Sequence, residues 1–208
     1  MKNVLTITVL TLGFASQALA GNPAPAHVPA VENVAAPVTA RTDWSGFYIG
    51  GMVSFNGGDA QAFRNDVQIA SFPLDATTAF GGFAGYNKQV NSFVFGAEVA
   101  YTFGDIYPTG LAMSYYTDRV DAKARVGYSL GRAMVYAVAG YSWADFSDGG
   151  ALYPGSGMNY GVGVDVMMGE RFFVGAEYLM RDMVGTAIGA NRVDGTINST
   201  TIRAGIKF

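Results

Sequence analysis

The ten residues Arg119-Val120-Asp121-Ala122-Lys123-Ala124-Arg125-Val126-Gly127-Tyr128 place every charge at an odd position and every large apolar side chain at an even one. A period of two belongs to a β-strand, whose successive side chains point to opposite faces. Such a strand needs two different environments, one that accepts Arg119, Asp121, Lys123 and Arg125 and one that accepts Val120, Ala122, Ala124, Val126 and Tyr128. The same alternation recurs along the chain. Phe93, Phe95, Ala97, Val99, Tyr101 and Phe103 oppose Val94, Gly96, Glu98, Ala100 and Thr102. Met158, Tyr160, Val162, Val164, Val166 and Met168 oppose Asn159, Gly161, Gly163, Asp165 and Met167. Phe172, Val174, Ala176, Tyr178 and Met180 oppose Gly175, Glu177 and Arg181, and Ile202, Ala204, Ile206 and Phe208 oppose Thr201, Arg203, Gly205 and Lys207.

Three weaker segments complete a set of eight: Trp44 to Phe55, Thr78 to Gln89 and Ala133 to Asp145. The last two are apolar or glycine-rich on both faces, so their register stays open. Short connectors are expected near Lys88 to Asn91, Ser129 to Arg132 and Gly169 to Arg171. Longer ones are expected at Asn56 to Thr77, Asp105 to Ser114, Phe146 to Ser156 and Val184 to Thr196, with Asn56 to Thr77 the longest loop. An even strand count with alternating short and long links is the plan of an antiparallel up-and-down barrel.

Two barrels share this pattern, a soluble one with its apolar face inward and a membrane one with its charged face inward. Glycine separates them. Gly46, Gly50, Gly96, Gly127, Gly161, Gly163, Gly175 and Gly205 lie on the charged face, and the narrow interior of an eight-stranded barrel needs small residues beside large ones. Phe93, Phe95, Tyr101, Phe103, Tyr128, Tyr141, Trp143 and Tyr178 take the other face, several near strand ends, as in aromatic girdles at membrane interfaces. The charged face is therefore predicted to line the lumen. Its charges would be Arg119, Lys123, Arg125, Arg181, Arg203 and Lys207 against Glu98, Asp121, Asp165 and Glu177. Near-balance favours a salt-bridged plug, because unpaired buried charges are costly; a narrow solute path leaning toward anions is the other reading.

Composition narrows the rest. Gly 28 together with Phe 14 and Tyr 12 suits strands far better than helices. A net charge of -3 with no basic patch argues against nucleic acid as a partner. With no cysteine there is no disulfide, thiolate metal site or thiol nucleophile. Met1 to Ala20 reads as a secretory signal: Lys2, an apolar run from Val4 to Phe14, then Ala18-Leu19-Ala20 before cleavage at Ala20–Gly21. An N-terminal core helix is the alternative. Gly21 to Asp43, with Pro23, Pro25, Pro29 and Pro37, reads as an extended linker placed in the periplasm. It holds the sole histidine, His27, so the barrel offers no histidine base, and an enzyme is not expected. The aspartates of the long connectors could bridge divalent cations to anionic surface lipid or simply solubilise the loops. No cofactor or metal ligand set is identified.

Asp43-Trp44-Ser45-Gly46-Phe47-Tyr48-Ile49-Gly50-Gly51, Gly85-Tyr86-Asn87-Lys88-Gln89, Arg125-Val126-Gly127-Tyr128, Gly140-Tyr141, Gly175-Ala176-Glu177-Tyr178 and Gly205-Ile206-Lys207-Phe208 resemble, in order and spacing, the small alphaproteobacterial outer-membrane "porin family" barrels. These are similar in plan to OmpA-like and opacity-type barrels, although a tryptophan is usual there in place of Lys88. The resemblance spans Asp43 to Phe208. It implies an eight-stranded transmembrane barrel inserted by the barrel-assembly machinery, with Phe208 as the assembly signal. It also implies a monomer among lipid and lipopolysaccharide that serves envelope integrity and surface interaction. A narrow diffusion pore for small solutes, or a binder of surface ligands or host factors through the outer loops, are the alternatives. Some relatives are described as haem binders or adhesins; no haem ligand is carried over.

Overall fold

A computed structural model describes residues 42–208 apart from 108, 111–113, 149–150 and 188–189. The expected signal segment with its Ala20–Gly21 junction, and the linker up to residue 41, lie outside the described residues. Eight antiparallel strands follow in chain order: β1 (Gly46–Arg64), β2 (Val67–Val90), β3 (Phe93–Phe103), β4 (Ser114–Leu130), β5 (Ala133–Asp148), β6 (Ala151–Met168), β7 (Phe172–Ala187) and β8 (Ala190–Lys207). Each pairs with the next and β1 pairs with β8, which closes the barrel. Closure removes the unpaired edges that an open sheet would leave.

The alternation holds strand by strand. Phe95, Val99, Val126, Val162, Val174 and Ile202 are exposed, whereas Glu98, Asp121, Lys123, Arg125, Asp165, Glu177 and Arg203 are buried. A wall of exposed large apolar side chains around a charged interior is the inverse of a water-soluble barrel. The surroundings of that wall must be hydrocarbon. The eight aromatics assigned to the outer face are all exposed there, and several pair up, as Phe93 does with Tyr128 and Tyr141 with Trp143.

The two segments with open register are settled by their neighbours. In β2, Ala79, Phe83 and Asn87 point inward; in β5, Met134, Tyr136, Val138, Ser142 and Ala144 do. Rings on these strands explain the lumenal glycines. Tyr48 faces Gly85, Phe83 faces Gly50, Tyr136 faces Gly163 and Phe173 faces Gly205 as cross-strand partners. A Cβ at Gly163 would lie 2.7 Å from Tyr136 Cε2, and one at Gly205 would lie 2.6 Å from Phe173 Cζ. Each ring thus lies flat over a neighbour that has no side chain, filling the narrow bore. Gly163→Val should cost about 1–3 kcal/mol through overpacking, read as a lowered denaturant midpoint. A neutral result would show that the Tyr136 ring has room to move.

Connector lengths differ from expectation. Asn56 to Thr77 is not a loop: β1 and β2 run through it and meet at Asn65–Asp66. Both turn residues have positive φ, 50° and 62°, the backbone of a type I′ hairpin turn, which Asn and Asp tolerate. Gly58 (φ 145°) sits at a register shift beside the Thr196 carbonyl. Phe146 to Ser156 and Val184 to Thr196 are likewise largely strand. Every strand but β3, which has 11 residues, runs 16 to 24 residues and so exceeds the ~9–11 needed to cross a bilayer, because backbone paired across a hairpin stays satisfied outside the membrane as well as within it. The overrun lies at the end opposite Gly46 and Lys207. Between β3 and β4, the described residues 104–107, 109 and 110 lie outside the strands and are tied back by the Ile106–Tyr116 bridge.

Candidate functional site: the charged lumen

The lumen is layered along its axis. At the end that carries Gly46 and Lys207, Trp44 is buried among inward-facing apolar side chains. It precedes β1 rather than belonging to it, contrary to the strand expected from Trp44, and is only 2% exposed. Its backbone N–H donates to Gln89 Oε1 (2.8 Å), its indole N–H to the Gly131 carbonyl (3.4 Å), and Ser45 Oγ accepts from the Gln89 N–H. The ring packs in one cluster with Tyr48, Val94, Met134, Met167 and Phe173. Nearby, the Asp43 carboxyl is held below the usual carboxylate range, chiefly by the Ser45 backbone N–H that donates to it at 2.9 Å.

Above this floor lie three cations and three carboxylates from five strands. Glu98 of β3 is the hub. It meets Lys123 Nζ at 2.9 Å, Arg125 Nη1 at 3.2 Å and Arg203 Nη2 at 2.5 Å. Lys123 also reaches Glu177 at 2.5 Å, Arg125 reaches Asp165 at 2.6 Å, and Arg203 reaches Glu177 at 3.3 Å and Asp165 at 3.5 Å. Tyr48 donates its hydroxyl hydrogen to Glu98 (3.0 Å) while accepting from Arg125 (2.9 Å), and Tyr136 donates to Glu177 (3.2 Å). The guanidiniums of Arg125 and Arg203 each sit 3.9 Å from a ring centroid, Tyr136 and Phe83 respectively. Charge closes to zero within this cluster, and delocalised guanidiniums suit such shared, stacked geometry better than lysines.

The next layer is a bidentate pair. Arg181 donates through Nε to Asp121 Oδ1 (2.8 Å) and through Nη2 to Oδ2 (2.6 Å). Ser142 donates to the same carboxylate (2.6 Å) and accepts from Asn159 (2.8 Å); Arg181 Nη1 donates to Ser199, which donates to Asn56. Arg119 comes next, and the far end is roofed by an apolar cluster that includes Ile106, Tyr116, Phe146, Met183 and Ile197.

Nine of the ten residues expected in the lumen are buried there. Two corrections apply. Lys207 is not part of the network: its ammonium donates to the carbonyls of Asp43 (2.7 Å) and Ser45 (3.0 Å) at the lumen floor, because the last strand residue lies beyond the level of the carboxylates. Arg119 is fully buried yet has no carboxylate within salt-bridge distance among the described residues. Five lumenal cations therefore face four carboxylates. Trp44 and the inward rings of Phe83 and Tyr136 were not anticipated as lumenal groups. Phe83 and Tyr136 each lie across from a lumenal glycine, Gly50 and Gly163, a match that appears only once the strands are paired.

The lumenal carboxylates are all engaged by cations, so none stands free as a base beside a nucleophile. Among the described residues no cluster of three or more potential metal ligands occurs. A cavity of about 10 Å³ lies beside Trp44, Asn87 and Asp165, room for about one water. A concavity of about 1000 Å³ involves instead the outward-facing Ala84, Ala97, Ala124 and Ala139.

Comparison with known proteins identifies the family. The family model for the outer membrane protein β-barrel domain matches residues 28–208. The chain is 29% identical over 155 residues to a 22 kDa outer membrane protein of Rhizobium leguminosarum bv. viciae, covering 71% of this chain and 68% of that protein. Neisserial surface protein A shares the fold at 15% identity and a TM-score of 0.50, covering 79% of this chain and 98% of that one. Ail, the attachment invasion locus protein of Yersinia pestis, covers 79% of this chain and 99% of its own at 15% identity and a TM-score of 0.48. The chain belongs to the outer membrane protein β-barrel domain family and is an integral β-barrel of the outer membrane.

Proposed function

We propose that this barrel is a non-enzymatic, non-conducting protein of the outer membrane that contributes to envelope integrity and presents a surface for interaction. The neutral six-charge cluster around Glu98, buried between an apolar floor and an apolar roof, carries this reading. A conducting lumen needs water along its length, and here side chains occupy the bore. The strands that overrun the membrane at the far end, β1–β2 above all, supply the interaction surface. On this reading the linker lies in the periplasm, Phe208 serves the barrel-assembly machinery, and the monomer sits among lipid and lipopolysaccharide with no nucleic-acid partner.

Single-channel recording of the purified full chain in planar bilayers tests the proposal. No steady conductance is expected at moderate voltage, and neutralising the outward-facing or far-end charges should leave that silence unchanged. A reproducible open level in the unmodified protein, enlarged by Arg125→Gln or Glu177→Gln, would refute the plug. The folded state in the same sample is verified by its faster migration on an SDS gel before boiling.

A further inference from the structure

Among the described residues, Arg119 is the one lumenal cation with no carboxylate within salt-bridge distance. Its relative exposure is 0%, its Nη1 donates to the Gly104 carbonyl at 3.2 Å, and its Nε and Nη2 have no hydrogen-bond partner among the described residues. Arginine stays charged in proteins, so the excess positive charge cannot be discharged by losing a proton. Asp121, Asp118 and Asp105 stand near enough to attract it, yet among the described residues none of them comes within salt-bridge distance of its guanidinium. Asp121 is taken bidentately by Arg181 and also accepts from Ser142. Asp118 accepts from Tyr101 and the Gly104 N–H, and Asp105 accepts from Tyr107.

A second orphan stands beside it. Thr102 is the cross-strand partner of Arg119, so the two side chains leave the same face of adjacent strands. Thr102 is 1% exposed, and its hydroxyl likewise has no partner among the described residues. A hydroxyl without a partner in apolar surroundings costs free energy, as does an uncompensated guanidinium. One ligand relieves both: an anion that accepts from Arg119 Nε and Nη2 and from Thr102 Oγ1. The lumen's excess of five cations over four carboxylates makes it monovalent. Complete burial under the cluster of Ile106 and Tyr116 makes it small.

We infer that Arg119 and Thr102 form a buried site for one halide-class anion, between the Asp121–Arg181 pair and the apolar roof. The site neutralises the lumen without opening it, so it adds a ligand to the plugged barrel and does not depend on conductance.

Bromide is the probe. Crystals of the full chain grown in bromide should show an anomalous peak in contact with the Arg119 guanidinium and Thr102 Oγ1. Density for water alone at that position, or bromide confined to exposed basic residues, would overturn the site. In solution, folded protein in micelles should broaden the chloride magnetic-resonance line, and bromide should compete. Thr102→Val keeps the charge but removes one donor to an anion, and should weaken bromide competition by about tenfold or more. Arg119→Gln should reduce the broadening to that of the unfolded chain. Identical bromide competition in the wild type and both variants would equally overturn the assignment. The crystallographic arm uses wild-type protein, so the inference stays testable if Arg119→Gln fails to fold.

Discussion

Glu98→Gln should lower the unfolding free energy of the folded barrel by about 3–5 kcal/mol, the usual cost of stripping one partner from a buried ion-pair network. Glu98 has no exposed side-chain surface and compensates Lys123, Arg125 and Arg203 at once. With a neutral amide in its place those three cations share two carboxylates, and Tyr48 loses the charged acceptor of its hydroxyl. Denaturant titration in lipid vesicles, followed by gel migration, reads the change. The double variant Glu98→Gln/Lys123→Met restores neutrality, with Arg125 and Arg203 facing Asp165 and Glu177, and should recover most of the loss. Asp66→Asn, at the exposed Arg192 contact of 3.5 Å, should change nothing measurable, as is common for surface pairs. If Glu98→Gln cost no more than Asp66→Asn, the cluster would not be what holds the lumen together.

Trp44→Ala should be comparably damaging, by about 3–5 kcal/mol, the range for removing a large buried aromatic. The indole is one of two tryptophans in the chain; the other, Trp143, is 46% exposed on the outer wall. Truncation enlarges a floor that already has a small cavity beside Asn87 and Asp165, and it leaves Ser129 Oγ as the side-chain donor to the Gly131 carbonyl. Conductance should stay absent nonetheless, since the Glu98 cluster and the far-end apolar roof remain in place. Loss of stability with a silent bilayer would separate the roles of floor and plug. A steady current in Trp44→Ala would instead make the tryptophan the gate and the charge cluster permeable.

Much of this architecture was legible in the chain itself. Alternation assigns a face to almost every residue of β3, β4, β6, β7 and β8, because a one-residue slip would turn Arg119, Asp121, Lys123 and Arg125 toward hydrocarbon. The glycines on the charged face marked that face as the crowded one. Strand ends were less legible. Arg64-Asn65-Asp66-Val67 carries a hairpin turn whose two positive φ values have only Asn and Asp as their signal, and the polar stretch around it reads as loop when no partner strand is in view.

Pairing required the closed barrel. Which cation meets which carboxylate depends on how far each strand is staggered against its neighbours, and no local pattern encodes that stagger. It lifts Lys207 out of the network, makes Glu98 a hub for three cations, and lays each inward ring over a glycine of the adjoining strand. The sequence by itself determined the inward-charged barrel and the identity of nine lumenal charges, through side-chain periodicity and the cost of charge in lipid. Tertiary structure alone decided that Glu98 gathers three cations and that Arg119, among the described residues, has no carboxylate within salt-bridge distance, because both depend on distances across the barrel between residues far apart in the chain.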